Sequence, residues 1–179
     1  MKTEIPRHTT FKTAWGHFGL AAVGEAVCRT CLPAPDRLQV QQVLLAGSDD
    51  VPFEKGLLTE LQQRIVAYFE GENVDFSTDP AVDLAGRTAF DRAVLSACRQ
   101  IGPGRQVTYG ELAVKIGKSG AARAVGNALA RNPVPLIIPC HRVLCANGAL
   151  GGFSAPGGTA TKERMLLHEQ AALRLPCLR

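Results

Sequence analysis

The chain has 179 residues, 46% hydrophobic and 20% charged, with a formal net charge of +4. That size fits one large domain or two small ones, and the apolar content excludes a disordered chain. No apolar run approaches the roughly 18 residues of a membrane span and Met1–Pro6 lacks the apolar core of a secretory signal, so a soluble, cytoplasmic protein is expected.

Residues 9–46 read as short strands with turns at Val23-Gly24-Glu25 and Pro33-Ala34-Pro35-Asp36. Residues 55–70 read as a helix, because Leu57, Leu58, Leu61, Ile65, Val66 and Phe69 share one face, and Gly71 is its stop. The stretch 72–86 is polar and turn-rich and is read as a linker, giving an N-terminal domain over 1–86 and a second domain over 87–179. Phe90, Ala93, Val94, Ala97, Cys98 and Ile101 form a second apolar stripe, ended by Gly102-Pro103-Gly104.

Thr108 stands three residues before Glu111, a capping-box spacing that starts a short helix at Tyr109, ending near Gly117. Ser119 is the expected cap of a helix over 120–131 that Pro133 terminates. Two short helices around Gly117-Lys118-Ser119-Gly120 read as helix-turn-helix. Leu136–Ile138 is expected to be extended and buried. Asn147-Gly148 predicts a hairpin joining Val143-Leu144 to Ala149-Leu150. Residues 151–158 are a Gly/Pro loop, and Thr159 is the expected cap of a last helix to about Glu169.

Charge is unevenly placed. Residues 1–86 hold 7 Lys and Arg against 12 Asp and Glu, a net of −5, whereas residues 87–179 hold 13 against 4, a net of +9. A basic half is the electrostatic footprint of a protein that binds a phosphate backbone. The six cysteines (28, 31, 98, 140, 145 and 177) are expected to stay reduced in a cytosolic chain. Cys98 falls on an apolar stripe and reads as a small core residue.

The chemistry centres on Pro139-Cys140-His141-Arg142-Val143. A thiolate is the nucleophile in cysteine chemistry, and an adjacent imidazole is a common means of forming it. Upstream stand Ala121-Ala122-Arg123-Ala124-Val125-Gly126 and Asn132-Pro133-Val134-Pro135, and downstream Lys162–Glu169. With Val107–Leu112, these segments resemble the O6-alkylguanine-DNA alkyltransferase family over roughly residues 90–169. The N-terminal half is similar only through Thr9-Thr10, Trp15-Gly16 and Leu32-Pro33.

The resemblance implies an α/β protein: a small N-terminal α/β domain of sheet and helix, then a mostly helical, winged-helix-like catalytic domain. It implies irreversible transfer of an alkyl group from guanine O6 in double-stranded DNA, with O4-alkylthymine as a secondary substrate, to Cys140. His141 would be the base acting through a water, and Glu169 would hold it. Tyr109 would turn the target phosphate, face the extruded base and protonate guanine N3, and Asn132 would be the hinge. Arg123 would fill the vacated stack from the minor groove, with Ala122, Ala124 and Gly126 allowing close approach. Pro135, Val143, Phe153 and Ser154 would form the base pocket. The loop 153–158 is about two residues longer than the family pattern.

The resemblance implies a monomer needing no cofactor. Some relatives bind zinc in the N-terminal domain, and Cys28-Arg29-Thr30-Cys31 has metal-like spacing, but no second ligand pair stands at the family positions; His8 and His17 are candidate ligands that do not fall at those positions. Two cysteines on alternate faces of a strand are the alternative. Other classes are a non-catalytic sensor of alkylated DNA, which Cys140 argues against, and a transcription regulator. The latter would need more base-reading side chains than Arg123 and Asn127.

Overall fold

The computed structural model describes residues 5–47 and 50–174. Cys177 lies outside the described residues. Two compact units are formed, one within Met1–Val74, Thr78–Ala85 and Pro133–Pro135, the other within Asp75–Ser77, Gly86–Asn132 and Leu136–Arg179.

In the first unit, β1 (Arg7–Thr13), β2 (Gly16–Val23) and β3 (Ala26–Ala34) make an antiparallel sheet in that order. Residues 18–22 of the central strand are all buried, because helices cover both faces. On one face Val40 and Leu44 of α1 (Arg37–Leu44) join Ala21, Cys31 and Ala34. Gly19 permits this approach, since a Cβ there would stand 2.6 Å from Val40 Cγ1. On the other face Phe69 of α2 (Thr59–Glu70) packs its ring 6.0 Å from Phe18 and 5.2 Å from Trp15. The outer edge of β3 is occupied by the 133–135 segment. Thr30 donates its N–H to Pro133 O at 2.9 Å and its hydroxyl to Pro135 O at 2.7 Å.

The second unit is mostly helical, with α3 (Ala89–Arg99), α4 (Tyr109–Lys115), α5 (Ala122–Ala130) and α6 (Gly158–Arg174). Its core combines Val94, Leu95 and Cys98 of α3 with Leu112, Val125, Leu129 and Met165, all buried. Each large side chain so buried contributes about 1.5–3 kcal/mol. Thr88 caps α3 by accepting from Asp91 N–H. Buried Asp91 in turn accepts from Arg131 at 2.7 Å, tying α3 to the end of α5. The Thr108–Glu111 capping box is formed in full. A two-residue parallel pairing of β4 (Val107–Thr108) with β5 (Val143–Leu144) brings the start of α4 beside the Cys140 segment.

Several sequence expectations are corrected. Residues 37–44 are helical, not strand: Asp36 accepts from Leu38 N–H and starts a helix whose Val40 and Leu44 bury one turn apart. The second helix begins at Thr59, not Lys55, because Leu58 takes a left-handed φ of 52°. Ser119 does not cap α5, whose N-cap is Ala121. Leu136–Ile138 is buried but not extended, because Leu136 reverses the chain at φ 78°. Asn147-Gly148 turns the chain, closed by Cys145 N–H to Ala149 O and Gly148 N–H to Cys145 O, yet no hairpin ladder follows and β5 pairs with β4 instead. Thr159 lies inside α6, which runs from Gly158 to Arg174 rather than to Glu169.

Candidate active site

The local chain folding that presents Cys140 starts at the end of α5. Asn132 donates its side-chain amide to Ile138 O at 2.8 Å and to Cys140 Sγ at 3.2 Å. The Cys140 N–H also donates to Ile138 O, at 2.8 Å. The residues between fold into a compact loop, and Cys140–Arg142 then make a single 3-10 turn. Cys140 is 8% exposed, so its sulfur is within reach of a ligand without being bathed in water.

The next two side chains of that turn point into the core. His141 is fully buried, and its Nε2 lies 2.8 Å from Glu169 Oε1. Arg142 donates to both carboxylate oxygens of Glu169, Nε to Oε2 at 2.9 Å and Nη2 to Oε1 at 2.8 Å, and Nη1 donates to Ile101 O. Burial alone would push Glu169 up. The hydrogen bond from His141, then the hydrogen bonds and charge of Arg142, outweigh it and hold the carboxyl well below the usual range. Glu169 is therefore an ionised acceptor, which fixes the proton of neutral His141 on Nε2. Burial lowers the imidazole's own pKa, against the pull of Glu169, and a neutral ring is the form that can accept a proton. Its Nδ1 is buried without a hydrogen-bond partner among the described residues.

Burial also pushes the Cys140 thiol up. The Asn132 amide, the charge of Lys162 and the backbone N–H groups of Cys140 and His141 oppose that push. The thiol is thus protonated at neutral pH and surrounded by groups that favour the thiolate once the proton leaves.

Cys140 opens onto a cleft of about 540 Å³. Tyr109, Arg123, Gly126, Phe153 and Ser154 border it, together with Ala122. Burial raises the Tyr109 phenol, chiefly by desolvation, so it keeps its proton and can donate it. Arg123 is exposed at the start of α5, without a hydrogen-bond or ion-pair partner among the described residues. Ala124 is exposed beside it. Gly151, at φ 69°, lets the wall close over Tyr109: a Cβ there would stand 3.0 Å from the phenol oxygen and 3.2 Å from Cys145 Sγ.

Two of the expected pocket residues do not border the cleft. Val143 is fully buried with its carbonyl taking the Lys162 ammonium, and Pro135 belongs to the other unit, where it accepts from Thr30. The structure adds cleft residues to which the sequence assigned no place in the pocket. Leu129 and Ala130 come from α5 beside Asn127, and Cys145 borders the same cleft as Cys140. The signal for Cys145 was its position just before the Asn147-Gly148 turn, which folds the chain back toward the site.

In the first unit Cys28 donates to Ala21 O at 3.4 Å and Cys31 is buried, its thiol pushed up to about 11 by burial. Buried His8 has its Nδ1 2.9 Å from Val51 O. Among the described residues no group of three or more His, Cys, Asp or Glu side chains could hold a metal ion. No helix there is long and apolar enough to cross a membrane.

Comparison with known proteins decides the family. Residues 89–171 match the model of the 6-O-methylguanine DNA methyltransferase DNA-binding domain. The methylated-DNA–protein-cysteine methyltransferase of Cricetulus griseus is 38% identical over 146 residues, 79% of this chain and 68% of that protein. The chain belongs to the methylated-DNA–protein-cysteine methyltransferase family. The Salmonella typhimurium protein of the same name is 41% identical over 109 residues, 61% of each chain. A crystal structure of Mycobacterium tuberculosis OGT in complex with DNA superimposes with a TM-score of 0.76 at 32% identity, covering 96% of both chains. Within this methyltransferase family the domain match runs from α3 into α6. It therefore spans Tyr109, Arg123, Asn132, Cys140, His141 and Glu169 together.

Proposed function

We propose that the protein repairs alkylated double-stranded DNA by moving a methyl or larger alkyl group from guanine O6 to Cys140, once per chain. The observation that carries this reading is the line Asn132, Cys140, His141 and Glu169, linked through hydrogen bonds and chain neighbours and opening on a cleft bordered by Tyr109 and Arg123. An O6-alkyl group inside the duplex is out of reach of a nearly buried thiol, so the nucleotide must be extruded into the cleft. Arg123 enters the stack from the minor-groove side and fills the gap, with Ala122, Ala124 and Gly126 keeping that helix face low. Phe153 stacks beside the base and Ser154 donates to O6.

Chemistry then proceeds by direct displacement. The Cys140 proton passes through a water to His141 Nδ1, while Glu169 stabilises the imidazolium. The thiolate attacks the alkyl carbon, the S–C bond forms and the C–O6 bond breaks with its electron pair going to guanine. Tyr109 gives guanine N3 a proton and is itself reprotonated from the imidazolium through solvent. Net, the thiol proton ends on guanine and the alkyl group on sulfur. No cofactor enters that balance, and O4-alkylthymine presents the same kind of alkyl ether as a secondary substrate. The protein acts as a monomer.

Intact-protein mass after incubation with duplex carrying O6-methylguanine tests the reading. The expected result is one added methyl per chain, mapped to Cys140. A methyl mapped to Cys145, or turnover beyond one equivalent, would overturn it.

A further inference from the structure

Lys162 is a buried cation beside the site that the proposed reaction leaves without a task. It is 1% exposed, on the buried face of α6. Its ammonium donates to Val143 O at 2.6 Å and to Leu150 O, and stands 5.7 Å from the centre of the Tyr109 ring. Val143 directly follows the Cys140–Arg142 turn, and Leu150 directly precedes the Gly151–Ser154 wall of the cleft. One ammonium therefore ties the segment that carries the nucleophile to the segment that closes over the base.

Its charge is also unmatched. Arg142 is neutralised by Glu169, whereas Lys162 has two carbonyls and a ring face but no carboxylate partner among the described residues. Burying a cation without a counter-ion is costly. The groups nearby that can turn negative are the thiols of Cys140, Cys145 and Cys98; burial lowers Lys162, while these thiols, Cys140 foremost, act to raise it.

We infer that Lys162 is a positioning residue for alkyl transfer, its ammonium joining the Cys140 turn to the cleft wall and serving as the counter-charge of the Cys140 thiolate. The inference rests on the alkyl-transfer reading for its biological use, but the electrostatic part stands on thiol reactivity alone. With the thiol protonated, the buried group of Arg142, Glu169 and Lys162 carries one net positive charge. Loss of the thiol proton brings it to zero.

The test measures the pH dependence of iodoacetamide alkylation at Cys140 by peptide mass, in parallel with methyl transfer from O6-methylguanine duplex. Wild type, Lys162→Met, Lys162→Gln and Lys162→Arg are compared, with thermal unfolding as the check on folding. Lys162→Gln keeps N–H donors for the carbonyls but removes the charge. Both neutral variants are expected to move the alkylation midpoint up by about one pH unit, with transfer at neutral pH down about tenfold. Lys162→Arg is expected to stay close to the wild-type midpoint. A folded neutral variant with an unshifted midpoint would overturn the inference. If Lys162→Met does not fold, Lys162→Gln against Lys162→Arg decides the matter by the same midpoint. If wild type alkylates normally but transfers no methyl, the alkyl-transfer reading fails while the counter-charge reading is still decided by the midpoints.

Discussion

Lys162 and Glu169 stand seven residues apart on the same buried face of α6, with Met165 and Leu166 between them. Two turns of helix bring them into line, so one helix delivers a cation to the wall of the cleft and an anion to the imidazole of His141. The thiol arrives separately, on the 3-10 turn. Alignment of the site therefore depends on how α6 docks against that turn, and the Glu169 pairs with His141 and Arg142 are part of that docking.

Glu169→Gln is expected to lower stability by about 3 kcal/mol, because it leaves the buried Arg142 guanidinium without its counter-charge. Urea unfolding at neutral pH measures this. Methyl transfer should fall as well, since the imidazolium formed during proton uptake loses its stabilising charge.

Acid should weaken the wild-type fold in two stages. The folded pKa of His141 is lowered by burial, so its contribution is present above the unfolded value of about 6.5 and declines as pH falls below it. The folded pKa of Glu169 is also depressed, so its contribution is present above about 4.3 and is lost as pH falls further. Stability measured from pH 7 down to 3 should drop continuously. In Glu169→Gln the second stage should shrink. An unchanged acid limb in that variant would show that the carboxylate does not carry it.

Asn132→Ala should make Cys140 less reactive without removing it. The amide donates to the sulfur at 3.2 Å, and a hydrogen bond to a charged acceptor contributes about 1.5–3 kcal/mol. The thiol is already raised by burial, so loss of this donor should move the alkylation midpoint up by about one unit. The wild-type rate should climb with pH and level off once the thiolate is complete. A variant whose rate falls equally at every pH would point to displaced geometry instead.

Arg123→Ala should separate the substrates. Arg123 is exposed on α5 and bonded to none of the described residues, so its removal should not unsettle the fold. Repair of alkylated duplex should fall far more than reaction with free O6-benzylguanine, which needs no stack to be held open. Equal losses on the two substrates would remove the wedge role.

The C-terminal half was legible because its signals are local and agree with one another. The Thr108–Glu111 box, the stripe of α3 and the Cys140 pentapeptide each sit within a few residues, and they supply the helix-turn-helix and nucleophile. What escaped reading depended on distant partners. Residues 37–44 carry only Val40 and Leu44 as buried anchors, so polar composition hid a helix that packing on β2 and β3 supports. Val143-Leu144 looked like half of a hairpin, but its partner is Val107-Thr108, 36 residues away in sequence. Lys162 was visible as the first residue of the Lys162–Glu169 segment, with no role of its own. Its burial follows from two carbonyls that reach it from either side of the Asn147-Gly148 turn, and no spacing rule in the sequence announces them.

Binding should survive loss of the nucleophile and respond steeply to salt. Residues 87–179 carry a net charge of +9, and phosphate neutralisation releases counterions, with log K falling against log salt by about 0.9 for each phosphate contacted. If the chain engages roughly five phosphates, affinity for duplex should fall several-hundredfold between about 50 and 200 mM salt. Base sequence should matter little, because α5 offers few side chains that read base edges. Cys140→Ala removes a nearly buried sulfur and leaves Arg123 and the exposed face of α5 untouched, so fluorescence anisotropy with a labelled duplex should give the same salt slope and nearly the same affinity. Methyl transfer by that variant should be absent. A slope near zero would mean that the basic half does not meet the backbone, and a variant that neither transfers nor binds would mean that Cys140 supports the fold rather than the chemistry.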